Sequence, residues 1–450
     1  MAEVTARKKS STFERVARGP LRLLTQFGGA DFAERWRLRG PATKVLYHGA
    51  KTGMRAATTA VNGMTKASRL FGQPARLAPA PESALFDPTP TEEQTLIRDS
   101  MRRFADEVLR PAAYAADEAT RSPREILEQS QGLGLAQLAI PEALGGMAEV
   151  RSHVAAALIT EQLARGDMGL ATAILAPLAV VHALVDWGTA EQQQQHLPAF
   201  LGDTFVPAAM ALIEPRPLFD PMHPRAGAVR TDDGGWSLHG EKSLVPLAQS
   251  ATLFAVVADV RGRGPQIFLL ERKTPGLEIE LEPAMGLRAA GTGRLKFNGA
   301  RVSAGALLGG EEGRFDLGAL VDRARVAWGA MAVGTCQAVL DYVIPYCNER
   351  QAFGEPVSNR QSVAFLIADM AIEIEGMRLL VHRAASLCER GGSIAREASL
   401  ARTQCASKGM KIGTDGVQLL GGHGFVKEHP VERWYRDLRA IGIVEGALSV

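Results

Sequence analysis

The spacing of apolar residues predicts three successive regions, the first of them helical. Thr91, followed by two glutamates, is typical of a helix start, and apolar residues then recur at helical spacing until Pro111, where we expect this helix to end. Further on, Val154–Val185 is long, apolar and Ala-rich, and its uncharged part, Gly169–Val185, is short for a membrane span and favours a buried helix. Residues 91–204 therefore predict an N-terminal helical domain.

The middle region has a different pattern. Over residues 205–315 the apolar runs are short and are separated by glycine and proline turns, as in Leu253–Val257, Ile267–Leu270 and Arg294–Phe297. Short strands at this spacing indicate a small β-barrel or sandwich.

The last region returns to long helical segments. These lie near residues 317–350, 359–390 and 394–420, and a final helix begins at about Pro430. Four helices joined by short loops predict a C-terminal four-helix bundle over residues 316–450. The expected fold is therefore mostly α with a central β domain, an α+β arrangement.

Charge separates an N-terminal extension, residues 1–90, from the rest. Residues 1–80 contain 15 Lys and Arg against 4 Asp and Glu, whereas the whole chain has a net charge of only +2. The remainder is mildly acidic, which argues against a nucleic-acid partner for the body. We expect the extension to contact an anionic membrane surface peripherally or to act as a mitochondrial-type presequence; an arm that is solvated or packed on the body is the alternative.

Location and metal content follow from related patterns. An export signal is absent from the first residues, and the four cysteines form no C-x-x-C pair, which favours reduced thiols and no metal site. We expect a cytoplasmic bacterial protein, peripheral to the membrane if the extension binds lipid; the alternative is the mitochondrial matrix. No GxGxxG, P-loop, HExxH or GxSxG motif occurs in a suitable context, which excludes the classical dinucleotide, zincin and serine-hydrolase sites.

Several short motifs resemble, in order and spacing, those of the acyl-CoA dehydrogenase family over residues 91–447. They are Pro141-Glu142-Ala143-Leu144-Gly145-Gly146, Gly240-Glu241-Lys242, Glu349-Arg350-Gln351-Ala352-Phe353-Gly354, Gln418-Leu419-Leu420-Gly421-Gly422-His423-Gly424-Phe425, Pro430-Val431-Glu432-Arg433 and Glu445-Gly446. The segment Gly424–Glu428 is most similar to the very-long-chain branch. The resemblance implies an FAD-dependent enzyme that oxidises a long-chain acyl-CoA to the 2-enoyl-CoA. It also implies a homodimer or homotetramer that is re-oxidised by an electron-transferring flavoprotein.

The same resemblance assigns Glu445 as the base that removes the α-proton. Its sequence neighbours are apolar, which predicts a buried carboxylate, the setting in which a glutamate acts as a base near neutral pH. The alternative is that Glu445 caps or pairs within the bundle. Arg325 matches a family arginine near the thioester end of CoA, with a surface ion pair as the alternative.

The resemblance also implies a set of FAD contacts. Arg350 and Phe353 match residues that contact the FAD of a neighbouring subunit; Gln361, Gln418, Gly421 and Gly422 match contacts to its pyrophosphate and adenosine side. A guanidinium donates to phosphate oxygens and a glycine pair lets backbone N–H groups approach closely, so the residue types fit. The alternative is an arginine at a helix C-terminus and a glycine cap, which are common without a ligand.

The flavin-ring contacts depart from the family pattern. The stretch Ile213–Asp220 lacks the family's hydroxyl side chains, Leu244 stands in place of an aromatic residue, and Pro246 and Ala447 replace threonines. Each lost hydrogen bond to a buried ring edge should cost roughly 1–3 kcal/mol. The alternative function is therefore a non-catalytic protein of the same fold that has lost flavin and acts as an assembly subunit or acyl-CoA binding protein.

Overall fold

The computed structural model describes residues Phe86–Val450, which form a helical domain, a β domain and a helical bundle in that order. The expectations of membrane contact or a presequence for the basic extension fall almost wholly on residues outside this range. The α+β fold class expected from the sequence, with helices on both sides of a central β domain, is confirmed.

The first domain consists of seven α-helices. They are α1 Glu92–Phe104, α2 Arg110–Ala119, α3 Arg124–Gln131, α4 Leu135–Ala139, α5 His153–Gly166, α6 Met168–Trp187 and α7 Ala190–Phe200. The expected start of α1 is present as a reciprocal cap, since the Thr91 hydroxyl accepts from Gln94 N at 3.2 Å and Gln94 Oε1 accepts from Thr91 N at 3.1 Å. This pair satisfies two backbone donors that a helix start leaves without partners.

The expected helix end at Pro111 is wrong. A π-helical turn, Ala105–Leu109, follows α1 and leads directly into α2, in which Pro111 is the second residue. The π-helical turn directly before Pro111 already interrupts the regular i→i−4 hydrogen-bond pattern, since Arg110 N donates to Ala105 O, so the missing N–H of proline is tolerated there.

The long apolar segment is two helices, because Asp167 interrupts it. The backbone of Asp167 is extended, and its carboxylate accepts from Leu170 N at 2.9 Å and so starts α6. Among the described helices, α6 and α8 (Leu317–Glu349) are long and apolar enough to cross a membrane, but 89% and 78% of their apolar windows are buried inside the fold. That burial is typical of core helices and agrees with the buried helix expected at Gly169–Val185.

The β domain is one mixed, seven-stranded sheet. Its strands are β1 Ala208–Ala211, β2 Gly227–Arg230, β3 Trp236–Val245, β4 Leu253–Val260, β5 Gly264–Glu271, β6 Leu277–Leu281 and β7 Gly293–Val302. The order across the sheet is β1-β4-β2-β3-β7-β6, with β5 also paired to β4. Apolar runs that the sequence assigned to strands lie within β4, β5 and β7. Both β1 and β4 are almost wholly buried, which explains why they are continuous apolar runs and not alternating ones.

The C-terminal bundle is formed by α8 Leu317–Glu349, α9 Gln361–Glu389, α10 Ala395–Leu419 and α11 Val431–Leu438. A small hairpin of β8 Gln351–Ala352 and β9 Glu355–Pro356 connects α8 to α9. At Gly334 of α8 a Cβ would lie only 1.9 Å from Glu161 O of α5, so this glycine permits the close crossing of the bundle with the first domain. The bundle is thereby packed directly on the helical domain.

Candidate active site

Glu445 lies on a short segment that follows α11 and packs against the C-terminal bundle and the β domain. Trp328 Nε1 of α8 donates to Gly446 O at 2.8 Å, and a Cβ on Gly446 would lie 2.9 Å from the Leu212 side chain of the β domain. Gly446 and Ala447 both have left-handed backbone conformations, with φ of +66° and +65°. Two consecutive left-handed residues turn the chain sharply just after the glutamate and hold it against α8.

The carboxylate of Glu445 is buried, with 8% of the residue exposed, and two arginines contact it. Arg325 Nε donates to Oε2 at 3.2 Å and Arg325 Nη2 to Oε1 at 3.1 Å, a two-point pair. Arg402 Nη2 of α10 lies 3.4 Å from Oε1. The expected apolar surroundings are therefore incomplete, because sequence neighbours do not reveal side chains that come from other helices.

The structure pairs Arg325 with Glu445, two residues to which the sequence assigned separate roles in CoA binding and proton removal. Arg325 was expected at the thioester end of CoA or in a surface ion pair; it lies 23% exposed and pairs with the base candidate itself. Asp322, one turn earlier on α8, is half-buried, and burial raises the pKa of its carboxyl while Arg325 opposes that shift. Chemically, the site is a buried carboxylate of fixed orientation. It can accept a proton once the arginines no longer occupy one of its two oxygens.

Four of the six FAD candidates surround one groove at the other end of α8. Its volume is about 460 Å³, and its walls include Tyr346, Arg350, Gln418, Gly421 and Gly422. Gly421 has a φ of +58°, and a Cβ at either glycine would meet no atom within 4 Å beyond its chain neighbours, so the chain leaves open space beside this turn. An exposed guanidinium, an exposed amide and a glycine turn fit the phosphate and adenosine half of FAD.

The other two FAD candidates lie apart from the walls of this groove. Phe353 is 96% exposed at the tip of the β8–β9 hairpin, and Arg360 lies over its ring at 5.7 Å. Gln361 is the exposed first residue of α9. Neither residue lines the groove, although Ser362 and Val363, which follow Gln361, do.

The β-domain positions expected to contact the flavin ring offer few polar groups. Ile213 is buried and its carbonyl oxygen accepts from Ser243 N at 2.8 Å, while Leu244 N donates to Glu282 Oε2 at 2.7 Å. Leu218 is 98% exposed. The structure therefore fits the nucleotide half of FAD better than the ring half. At the positions expected to contact the ring, Ile213 O and Leu244 N already form hydrogen bonds within the protein.

Sequence reasoning missed Arg402 and a cluster of rings beside the nucleotide groove. His423 stacks on His429 with ring centroids 5.4 Å apart, Tyr346 OH lies 2.8 Å from His423 Nδ1, and Tyr342 OH lies 2.7 Å from His429 Nδ1. His423 belongs to a motif that was recognised and His429 lies between two such motifs, but their pairing with tyrosines of α8 has no signal in one sequence. Arg402 lies within a helix of ordinary polar composition and gives no signal either.

Comparison with known proteins agrees with this three-part arrangement. Family models for the acyl-CoA dehydrogenase N-terminal, middle and C-terminal domains match residues 91–203, 209–300 and 316–450. An acyl-CoA dehydrogenase of Bacillus subtilis is 31% identical over 80% of this chain and 96% of its own. The mitochondrial short-chain specific acyl-CoA dehydrogenase of Bos taurus is 32% identical over 80% of this chain and 88% of its own. The butyryl-CoA dehydrogenase structure from Megasphaera elsdenii superposes with a TM-score of 0.74 at 29% identity, covering 80% of this chain and 96% of that one.

Fold and site thus define a three-domain flavoprotein oxidoreductase. The chain belongs to the acyl-CoA dehydrogenase family, as its sequence motifs indicated. It is an acyl-CoA dehydrogenase enzyme, and its cofactor is FAD.

Proposed function

We propose that this protein oxidises a long-chain acyl-CoA at the α,β-bond, with Glu445 removing the α-proton. The observation that carries this proposal is the buried, two-point-anchored carboxylate of Glu445, held at Oε1 and Oε2 by Arg325. A general base needs a defined position relative to the proton that it removes. Bound FAD supplies the acceptor for the β-hydride.

Arg325 links substrate binding to release of the base in this proposal. A guanidinium that donates two hydrogen bonds to Glu445 can exchange one of them for an oxygen of the bound thioester. That exchange frees one carboxylate oxygen at the moment when substrate arrives. The neighbouring residues Val444, Ala447 and Leu448 are buried as well, which limits the access of water to the segment that carries the glutamate.

We assign the nucleotide half of FAD to the groove lined by Arg350, Gln418, Gly421 and Gly422. Arg350 donates to phosphate oxygens and the glycine turn supplies backbone N–H groups. Phe353 faces outward, which supports the proposal that it contacts FAD of a second copy of the chain.

The acyl chain has a candidate cavity beside the segment that carries Glu445. This cavity of about 610 Å³ lies between α1, α5 and α6 and is lined by Ile159, Leu175 and Leu178, with Ser449 and Val450 in its wall. Its size and its apolar residues support a long acyl group, although its wall also includes charged residues such as Glu142 and Arg151, and the named relatives include short-chain and butyryl enzymes.

We further propose a homodimer or homotetramer that passes electrons to an electron-transferring flavoprotein. Phe365, Ile372 and Leu379 of α9 are 60%, 69% and 50% exposed and recur every seven residues. Residues at this interval share one helix face, so α9 presents an apolar stripe suited to another helix of the assembly.

The test is an absorption spectrum of the purified protein after incubation with FAD and removal of the unbound flavin, followed by anaerobic addition of acyl-CoAs of four and sixteen carbons. Flavin bands that bleach faster with the longer substrate support the proposal. Faster bleaching with butyryl-CoA would still support oxidation of an acyl-CoA but would contradict the preference for long chains. A protein that stays colourless with FAD would favour the alternative of a non-catalytic acyl-CoA binding subunit.

A further inference from the structure

Arg402 is a mostly buried guanidinium with an unused donor beside the base. Its side chain is 13% exposed and its Nη2 lies 3.4 Å from Glu445 Oε1, while its Nη1 is buried and has no hydrogen-bond partner among the described residues. Buried donors without an acceptor are unfavourable and rare, so a guanidinium held in this way needs a reason.

Under the proposed function Arg325 has to bind two groups, the Glu445 carboxylate and the acyl thioester. Both of its carboxylate-facing donors are engaged with Glu445, at 3.2 and 3.1 Å. When one or both turn to the acyl thioester, Glu445 loses hydrogen bonds while it stays buried. A buried carboxylate that is left without partners would shift or take up another orientation.

We propose that Arg402 is the positioning residue that holds Glu445 in place when Arg325 engages the acyl-CoA. Its Nη1 and Nη2 together form a pair of donors that can replace the two hydrogen bonds from Arg325. The two arginines lie on different helices, Arg325 on α8 and Arg402 on α10, so one can move while the other stays. Arg402 acts through Glu445 and does not touch the substrate.

Two observations support this exchange. The contact from Arg402 to Glu445 is longer than either hydrogen bond from Arg325, so it can still shorten. Cys405, one turn further along α10, is buried, and burial raises the pKa of its thiol to about 12. It is therefore neutral and does not compete for the guanidinium as an anion.

The test isolates proton removal from oxidation, and it rests on the proposed function. The probe is 3,3-dimethylhexadecanoyl-CoA, a long-chain thioester that has α-hydrogens and no β-hydrogen, so that only the base step is possible. Deuterium uptake from D2O is measured by mass spectrometry for the FAD-loaded protein and for Arg402→Met, Arg402→Lys and Arg396→Met. The last is a matched control on the same helix, since the Arg396 side chain is 77% exposed.

Arg402→Met is expected to lower the exchange rate at saturating probe roughly tenfold or more, because the base is misplaced, with little change in the dissociation constant of the probe. Arg402→Lys should restore much of the rate, and Arg396→Met should match the parent protein. An Arg402→Met protein that exchanges at the parent rate overturns the inference and leaves the proposed function intact. Absence of exchange in the parent protein itself would overturn both.

Thermal unfolding adds a readout that needs no substrate. If Arg402 acts on Glu445, Arg402→Met should lower the midpoint less in a Glu445→Gln background than in the parent, because the charge that it holds is gone. Strictly additive shifts, together with a lysine variant as inactive as the methionine variant, would show a merely structural role and overturn the inference.

Discussion

The indole N–H of Trp328 donates to the carbonyl oxygen of Gly446 at 2.8 Å, so a buried side chain of α8 holds the residue directly after the candidate base. Trp328 is 1% exposed. Through this one contact the position of Glu445 depends on the C-terminal bundle as well as on its own loop.

Replacing Trp328 by Phe keeps an aromatic ring and removes the donor. Gly446 O keeps the N–H of Leu448, at 2.8 Å, as its other donor, so we expect a loss of roughly 0.5–1.5 kcal/mol in the free energy of unfolding, together with a slower reduction of the flavin by acyl-CoA. Urea unfolding and stopped-flow absorbance measure the two effects. A stable variant of full activity would show that this hydrogen bond does not position the glutamate.

Substitutions at the two left-handed residues after Glu445 should have different effects on stability. Gly446→Ala places a Cβ 2.9 Å from Leu212 at a φ of +66°, so we expect a loss of roughly 1–3 kcal/mol of stability. Ala447→Gly removes a left-handed alanine and should leave the melting temperature unchanged or higher. Equal losses in both variants would argue against a requirement for glycine specifically at position 446.

Arg350→Ala should weaken FAD retention, because the groove loses its cationic donor to phosphate oxygens. We expect the dissociation constant for FAD, measured by flavin fluorescence after dialysis, to rise about tenfold, which corresponds to about 1.4 kcal/mol. Arg314→Ala, at an exposed arginine before α8, is the control. Unchanged FAD affinity in the Arg350 variant would remove this groove from the cofactor site.

Lys242 should make stability depend on alkaline pH. Its ammonium is fully buried and donates to Leu212 O at 2.9 Å and Glu214 Oε1 at 3.0 Å, and burial lowers its pKa to about 8. Because the unfolded chain binds this proton more tightly, stability should rise as pH increases from about 8 to about 10.5. Chemical unfolding across this range should show that rise in the parent protein, and a Lys242→Met variant that keeps the same slope would assign it to other groups.

The fold was largely predictable because its determinants are local. Thr91 with its capping partner, the breaks after α8 and α9, and the glycine turns between strands all lie within a few residues of the elements that they delimit. Pro111 was misinterpreted because a proline just inside a helix and a proline just after one look alike in sequence.

The site was only partly predictable because its contacts are long-range. Motifs located Glu445, Arg350 and the glycine pair, which all lie in the last hundred or so residues. The ion pairs of Glu445 with Arg325 and Arg402 join residues that are far apart in the chain, on α8, on α10 and after α11, and no periodic pattern encodes such pairings. The same limit applies to the stacked histidines beside the nucleotide groove.

The most direct measurement of the central claim is the anaerobic single-turnover reduction of bound flavin by a long-chain acyl-CoA in the parent protein and in Glu445→Gln. We predict bleaching of the flavin absorbance in the parent. In the variant, in which the FAD content should be unchanged, the rate should fall by roughly 10²-fold or more, since glutamine cannot accept the α-proton. Bleaching at the parent rate in a Glu445→Gln protein with full FAD content would contradict the assignment of Glu445 as the base.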